Sequence, residues 1–468
     1  MNKDRRLLSL FLLCCLAWGT ILPATVSAQS GEKSAPSDDS FVPRILRLLA
    51  PGEREAILKR LRKEWRDEYT VMVLEAILLS RDSSFNGRLV KLLEKKTGQS
   101  FGYDVEAWFQ WLWQEEPRLH PLYPQYKAHL YALLDPKFRT YFLQAQDPPP
   151  RIRLDEVRWG GVTQDGIPPL RSPPMVPAEK ASYLAPGDIV FGVEINGDVR
   201  AYPKRILAWH EMVTDTVGGV PMTGVYCTLC NSMIIYDDRT GAQQHAFGTS
   251  GFLYRSNKLM YDRATQSLWS TLEGEPVIGP LAAENIVLKR LSVVTTTWGE
   301  WSKRHPDSQV LALETGYDRD YSEGAAYRDY FADDELMFGV PKLDRRLRNK
   351  DEIVGLVLPR SEELPLALSV RFLAANPVYH DRVGETTFVA LTDASGASRI
   401  YESGGVVFKE WDGENQVVDS DGTAWTLTES ELRNADGQSL PRMAQHRAFW
   451  FGWFAAFPQT RLVDTESP

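Results

Sequence analysis

Hydrophobic and polar positions follow a helical period in the first third of the chain and a period of two in the rest. From Phe41 to about Gln146 the apolar residues recur on one helical face, as in Ile57, Leu61 and Trp65. A further helix is predicted over 86–96, stopped by Gly98. Asp104 is placed to cap another over 105–116, with Glu106 in its first turn. Trp108, Trp111 and Trp113 lie on that helix and read as packing surface. Residues 41–146 are thus expected to form a small array of paired helices.

Prolines then break the pattern. Pro148 to Pro150, followed by Pro168, Pro169, Pro173, Pro174 and Pro177, keep 147–186 extended, as a proline-rich linker. From Gly187 onward apolar and polar residues alternate. Runs 189–194 and 199–202 flank Asn196-Gly197, a strong hairpin signal, and 216–217 and 221–226 flank Gly218-Gly219. Ser395-Gly396 and Asp421-Gly422 suggest two more hairpins. Helices here are few and short, expected over 297–304 and 429–433. The fold class is therefore α+β: an N-terminal helical array, then a mostly antiparallel, barrel-like β domain over 187–460 with short helical insertions, and a C-terminal tail over 461–468. An echo between 236–240 (Tyr-Asp-Asp-Arg-Thr) and 261–265 (Tyr-Asp-Arg-Ala-Thr) reads as repeated turn chemistry, not a repeat architecture.

The chain's first residues change the setting. Lys3, Arg5 and Arg6 precede an uncharged Leu-rich run, and Val26-Ser27-Ala28 supplies small residues for cleavage. Residues 1–28 are expected to be a signal peptide and 29–40 a flexible leader, which places the mature protein in the periplasm or outside the cell. About 440 residues remain, long for one core. The formal net charge of −9 becomes −11 without the signal's three basic and one acidic residues. That acidic balance argues against nucleic acid as a partner. No later run reaches the roughly 18 apolar residues of a membrane helix, so stable insertion is not expected after cleavage. The helical array is a candidate surface for a protein partner.

Cleavage also removes two of the four cysteines, leaving Cys227 and Cys230. A many-disulfide framework is excluded. The CxxC motif is preceded by Val225-Tyr226 and followed by 232–236, rich in β-branched and aromatic residues, so a strand–turn–strand knuckle is expected. Such a knuckle turns both sulfurs to one side, as tetrahedral metal sites require, and Asn231 suits the positive φ that follows the second cysteine. His210 and His446 are candidate further ligands, although each also reads as a hydrogen-bonded buried histidine. Glu211 is a candidate partner of His210 or a general base. Met260 and Met443 are possible soft ligands but read better as core. Phe252 stands where a nucleophile elbow needs glycine, so 248–251 reads as a close-packed loop. No phosphate loop, dinucleotide fingerprint or paired-carboxylate pattern occurs.

The stretches Gly187-Asp188, Asn196-Gly197, 200–203 (Arg-Ala-Tyr-Pro), 209–211 (Trp-His-Glu), 226–231 (Tyr-Cys-Thr-Leu-Cys-Asn), 247–251, 256–263, 267–270 and 446–453 together resemble the bacterial domain-of-unknown-function family 3179, over about residues 185–460. The family pattern often has Pro after the first cysteine and Gly after the second; here Thr228 and Asn231 stand there. The resemblance implies export and a single β-rich domain, and it supplies no reaction.

Three functions fit these residues. The first is an exported metal-binding protein, with zinc or copper held by Cys227, Cys230, His210 and His446 and with Glu211 as a possible catalytic base. The second is a thiol–disulfide redox protein, which needs an accessible cysteine of depressed pKa. No Lys or Arg lies within eight residues before Cys227 or after Cys230, so local charge offers that cysteine little help. The third is a non-enzymatic interaction module whose cysteines staple a hairpin, although so short a loop constrains little chain entropy.

Overall fold

The computed structural model describes residues 44–49, 52–358 and 363–465. The expected signal peptide and flexible leader lie outside them.

The first third is helical, as its apolar period demands: Arg54–Lys63, Tyr69–Leu79, Ser83–Thr97, Val105–Gln114, Tyr123–Tyr131 and Phe138–Leu143. Caps stand where the sequence places them. Gly98 closes Ser83–Thr97 with φ 75°, and the Asp104 carboxylate accepts the Ala107 N–H at 2.9 Å. Trp108 and Trp113 are buried.

The proline-rich stretch has no long helix, yet it is built into the sheets. Val157–Trp159, Leu170–Arg171 and Met175–Pro177 each add an edge strand to a different sheet. Val157–Trp159 pairs with Phe247–Tyr254, and that sheet carries the helical array. Phe252 lies 4.7 to 6.2 Å, centroid to centroid, from Phe138, Tyr141, Phe142 and Tyr131. Helical and β residues thus share one apolar core. A buried ion pair, Lys127 with Glu75, crosses it, and Lys127 Nζ also donates to Val157 O at 2.8 Å.

The rest is mostly antiparallel, in open sheets of two to five strands; among the described residues none closes into a barrel. Closure would require the end strands of one long sheet to pair, and the prolines and crossovers here end each sheet after five strands at most. The hairpins at Asn196-Gly197, Gly218-Gly219, Ser395-Gly396 and Asp421-Gly422 all form. Thr297 caps the short helix Trp298–Arg304, as expected. The helix expected over 429–433 does not form: Glu431–Asn434 is a strand paired on both sides. The stretch 248–251 lies in the strand Phe247–Tyr254 where its register shifts, not in a loop.

One topology occurs twice. Strands Val294–Thr297, Ile189–Ile195, Asp198–Pro203 and Gln309–Leu311 lie in that order, two antiparallel pairings followed by a parallel one. His446–Phe449, Glu352–Leu356, Leu366–Ser369 and Arg461–Val463 repeat that order and those senses. Each copy has a short helix with tryptophans three apart, Trp298–Arg304 and Trp450–Ala456. In each, the second tryptophan rests on a glycine of the central strand. A Cβ at Gly192 would lie 2.1 Å from Trp301, and one at Gly355 2.2 Å from Trp453. Each copy also has a three-stranded meander, and the turn between its last two strands carries Cys227 and Cys230 in the first copy and Asp393 and Ser395 in the second. The echo at 236 and 261 is turn chemistry, as expected: Asp237 and Asp262 each accept backbone N–H groups just downstream.

Candidate functional site: the Cys227–Cys230 knuckle

Cys227 ends the strand Val220–Cys227 and pairs with Ser232, which begins Ser232–Asp237. The turn between them is fixed from several sides. Asn231 adopts φ 47°; its Oδ1 accepts from Tyr226 Oη at 2.8 Å and its Nδ2 donates to Glu352 Oε1 at 2.6 Å. Leu229 O accepts from Tyr330 Oη at 2.9 Å, and Cys230 O accepts from Phe449 N at 2.8 Å. The helix Trp450–Ala456 covers Cys230 by presenting Gly452, where a Cβ would come within 2.7 Å of Cys230 Sγ.

The cysteines are free thiols and both are buried. Both face one carbonyl: Ser256 O lies 3.5 Å from Cys230 Sγ and 4.0 Å from Cys227 Sγ. Their protonation differs. Burial pushes the Cys227 thiol up, but the Cys230 thiol and the backbone N–H groups of Lys258, Cys230 and Leu229 donate to it and bring it below the usual range. Cys230, donating to Cys227, buried and beside its charge, is held well above that range. Of the two thiols, Cys227 therefore gives up its proton more readily than Cys230.

Glu211 and Lys258 complete the site. Glu211 follows the helix Lys204–His210 with φ 56°, a left-handed residue that turns the chain into the strand Met212–Val217. Its Oε1 accepts from Thr228 Oγ1 at 2.9 Å and from Tyr327 Oη at 3.4 Å, and its Oε2 meets Lys258 Nζ. Lys258 is 7 % exposed, burial holds its pKa well below the lysine range, and no hydrogen bond supplements the contact with Glu211. Cys227, Thr228, Glu211 and Lys258, with Phe252 and Met337, line a cleft of about 40 Å³. Of the ten described non-glycine residues with positive φ, Glu211, Asn231, Arg255, Ser256 and Tyr327 adjoin this site. Strained backbone concentrates where surrounding structure holds side chains for function.

The structure thus brings Cys227, Cys230 and Glu211 together. It sets the two histidines elsewhere. His210 Nδ1 lies 2.9 Å from Pro168 O and Nε2 2.6 Å from Tyr321 Oη, and burial lowers its pKa. His446 is buried 5.5 Å, centroid to centroid, from Trp453, and burial lowers its pKa to about 3, with the Arg290 charge adding to the effect. Met260 and Met443 are buried in apolar clusters. Among the described residues no group of three or more His, Cys, Asp or Glu is arranged to hold a metal ion. Lys258 was not anticipated. It lies far from the cysteines in sequence, and its one signal is a lysine within the buried strand Asn257–Asp262.

Residues 164–460 match the family described as "Protein of unknown function (DUF3179)". The chain belongs to this family. The match takes in the first copy of the repeated topology, all of the second but its Arg461–Val463 strand, and the Leu170–Arg171 and Met175–Pro177 strands, beginning earlier than the motifs alone suggest. The helical array precedes it. No curated protein and no solved structure matches the chain. Among the described residues no helix is long and apolar enough to cross a membrane.

Proposed function

We propose that this member of the family is an exported thiol–disulfide redox protein in which Cys227 is the attacking sulfur and Cys230 the resolving one. One observation carries the reading: two free thiols face the same carbonyl, and one of them, Cys227, borders a cleft. A thiolate is the nucleophile in exchange, and a neighbouring thiol is what the resulting mixed or oxidised sulfur needs for resolution. Backbone N–H groups do here what a helix N-terminus does in other CxxC proteins. A second reading, zinc or copper ligation, is favoured by both sulfurs facing Ser256 O; this chain would then supply two ligands.

The test is differential alkylation of reduced, folded protein purified without chelator, with elemental analysis of the same sample. Iodoacetamide is expected to label Cys227 well before Cys230, with a rate that persists below the ordinary thiol range. Equal slow labelling, seen only as the protein unfolds, would sink the redox reading. One equivalent of zinc or copper, lost in Cys227→Ser, would replace it with the metal reading.

A further inference from the structure

The cleft limits what the sulfur can meet. Ligand pockets for ordinary metabolites run to roughly 300–1,000 Å³. This one is about 40 Å³, room for a few water-sized groups. Cys227 is 2 % exposed and Cys230 0 %, so a small molecule reaches the sulfurs far more readily than the disulfide of another folded protein does. A reactant must be small, and the presence of a resolving cysteine requires that it oxidise Cys227 rather than merely add to it. Lys258 Nζ supplies the remaining function. An ammonium has three N–H donors; among the described residues Glu211 Oε2 is its ion-pair partner, and no hydrogen bond adds to that contact. A buried, otherwise unengaged proton donor therefore lines the same cleft as the sulfur.

We infer that the cleft takes a small hydroperoxide, which Cys227 reduces with Lys258 as the proton donor; this rests on the thiol reading above. The Cys227 sulfur bonds to the terminal peroxide oxygen as the O–O bond breaks. The leaving oxygen takes a proton from Lys258, giving water or an alcohol, and Cys227 becomes a sulfenic acid. The Cys230 sulfur then bonds to Cys227 sulfur, and the sulfenic hydroxyl leaves with the Cys230 proton as water. A small dithiol gives two electrons and two protons to the disulfide, restoring both thiols and becoming a disulfide itself, and the Cys227 proton returns to Lys258. Thr228 is a positioning residue, holding Glu211 against the lysine at 2.9 Å from Oε1.

The experiment treats the reduced, full-length mature protein with hydrogen peroxide, and in parallel with a bulky aromatic disulfide, and follows Cys227 by mass spectrometry. Peroxide is expected to oxidise Cys227 at least about 100-fold faster than free cysteine, the scale of positioned proton transfer. The bulky disulfide should react more slowly with the folded than with the unfolded chain. Cys230→Ser should accumulate the sulfenic acid, trapped by a cyclic dione. Lys258→Met should lose most of the acceleration and Lys258→Arg retain part of it; should either fail to fold, the comparison on the unaltered chain still decides. Peroxide reacting no faster than with free cysteine, while iodoacetamide still selects Cys227, overturns the hydroperoxide inference and leaves the thiol reading standing. If neither reagent modifies folded Cys227, both fall.

Discussion

Single residues in this protein take their properties from what buries them. Asp238 is 5 % exposed, and burial raises its pKa to about 7, with the Thr223 hydroxyl opposing and the Asp237 charge adding. The ordinary value is 3.8. Between those values the folded chain holds a proton that the unfolded chain has released. The stabilising contribution is therefore complete below the unfolded value and is lost as pH rises through about 7, by at most about 1.4 kcal/mol per pH unit. Urea midpoints measured at roughly pH 5 and pH 8 should fall with pH, and Asp238→Asn should flatten the difference. An unchanged pH dependence in the variant would show that Asp238 is already ionised in the fold. The same logic governs the sulfurs. Asn231 was legible as a positive-φ residue because its chemistry is local; the unequal pKa of the two cysteines was not, because Lys258 N–H and Ser256 O arrive from a different hairpin.

At the scale of elements, local signals held wherever the deciding atoms were local. Asp104, Gly98, Thr297 and the five hairpin glycines all act within a few residues of themselves. The stretch 429–433 went the other way because its partners are distant. Glu429 accepts from Arg399 Nε at 2.7 Å and meets Arg442, while Leu432 pairs with Leu440. A buried carboxylate between two guanidiniums and a strand on each side outweigh the helix preference of Glu and Leu. Helix Trp450–Ala456 depends on a distant partner too, since it seats over Cys230 only through Gly452. Gly452→Ala should cost about 1–3 kcal/mol by overpacking and should speed alkylation of Cys230 as the helix lifts. Unchanged thermal stability with unchanged Cys230 labelling would show that the helix has slack there. The equivalent position in the first copy is Glu300, which pairs with Arg304 and Arg399; the repeat keeps its framework and has divergent chemistry at the turn.

The whole molecule joins what looked separable along the chain. The helical array and the sheet containing Val157–Trp159 and Phe247–Tyr254 share a core in which Phe252 meets four aromatic rings. Phe252→Ala should therefore destabilise the protein by about 3–5 kcal/mol. Far-ultraviolet circular dichroism and tryptophan fluorescence should report a single unfolding transition, since the two parts have no independent cores at that junction. Two well-separated transitions in the unaltered protein would show that the array is energetically its own unit.

The order of helical and β regions, the caps, the hairpin turns, the knuckle and the family membership are all properties of short stretches, and the sequence alone determines them through backbone preference and side-chain period. The open sheets, the doubled topology, the docking of the helices and the company kept by Cys227 are decided by tertiary structure. Strand pairing and burial act between residues far apart in the chain, and Glu211, Cys227 and Lys258 share a cleft only because three separate hairpins and a left-handed residue bring them there.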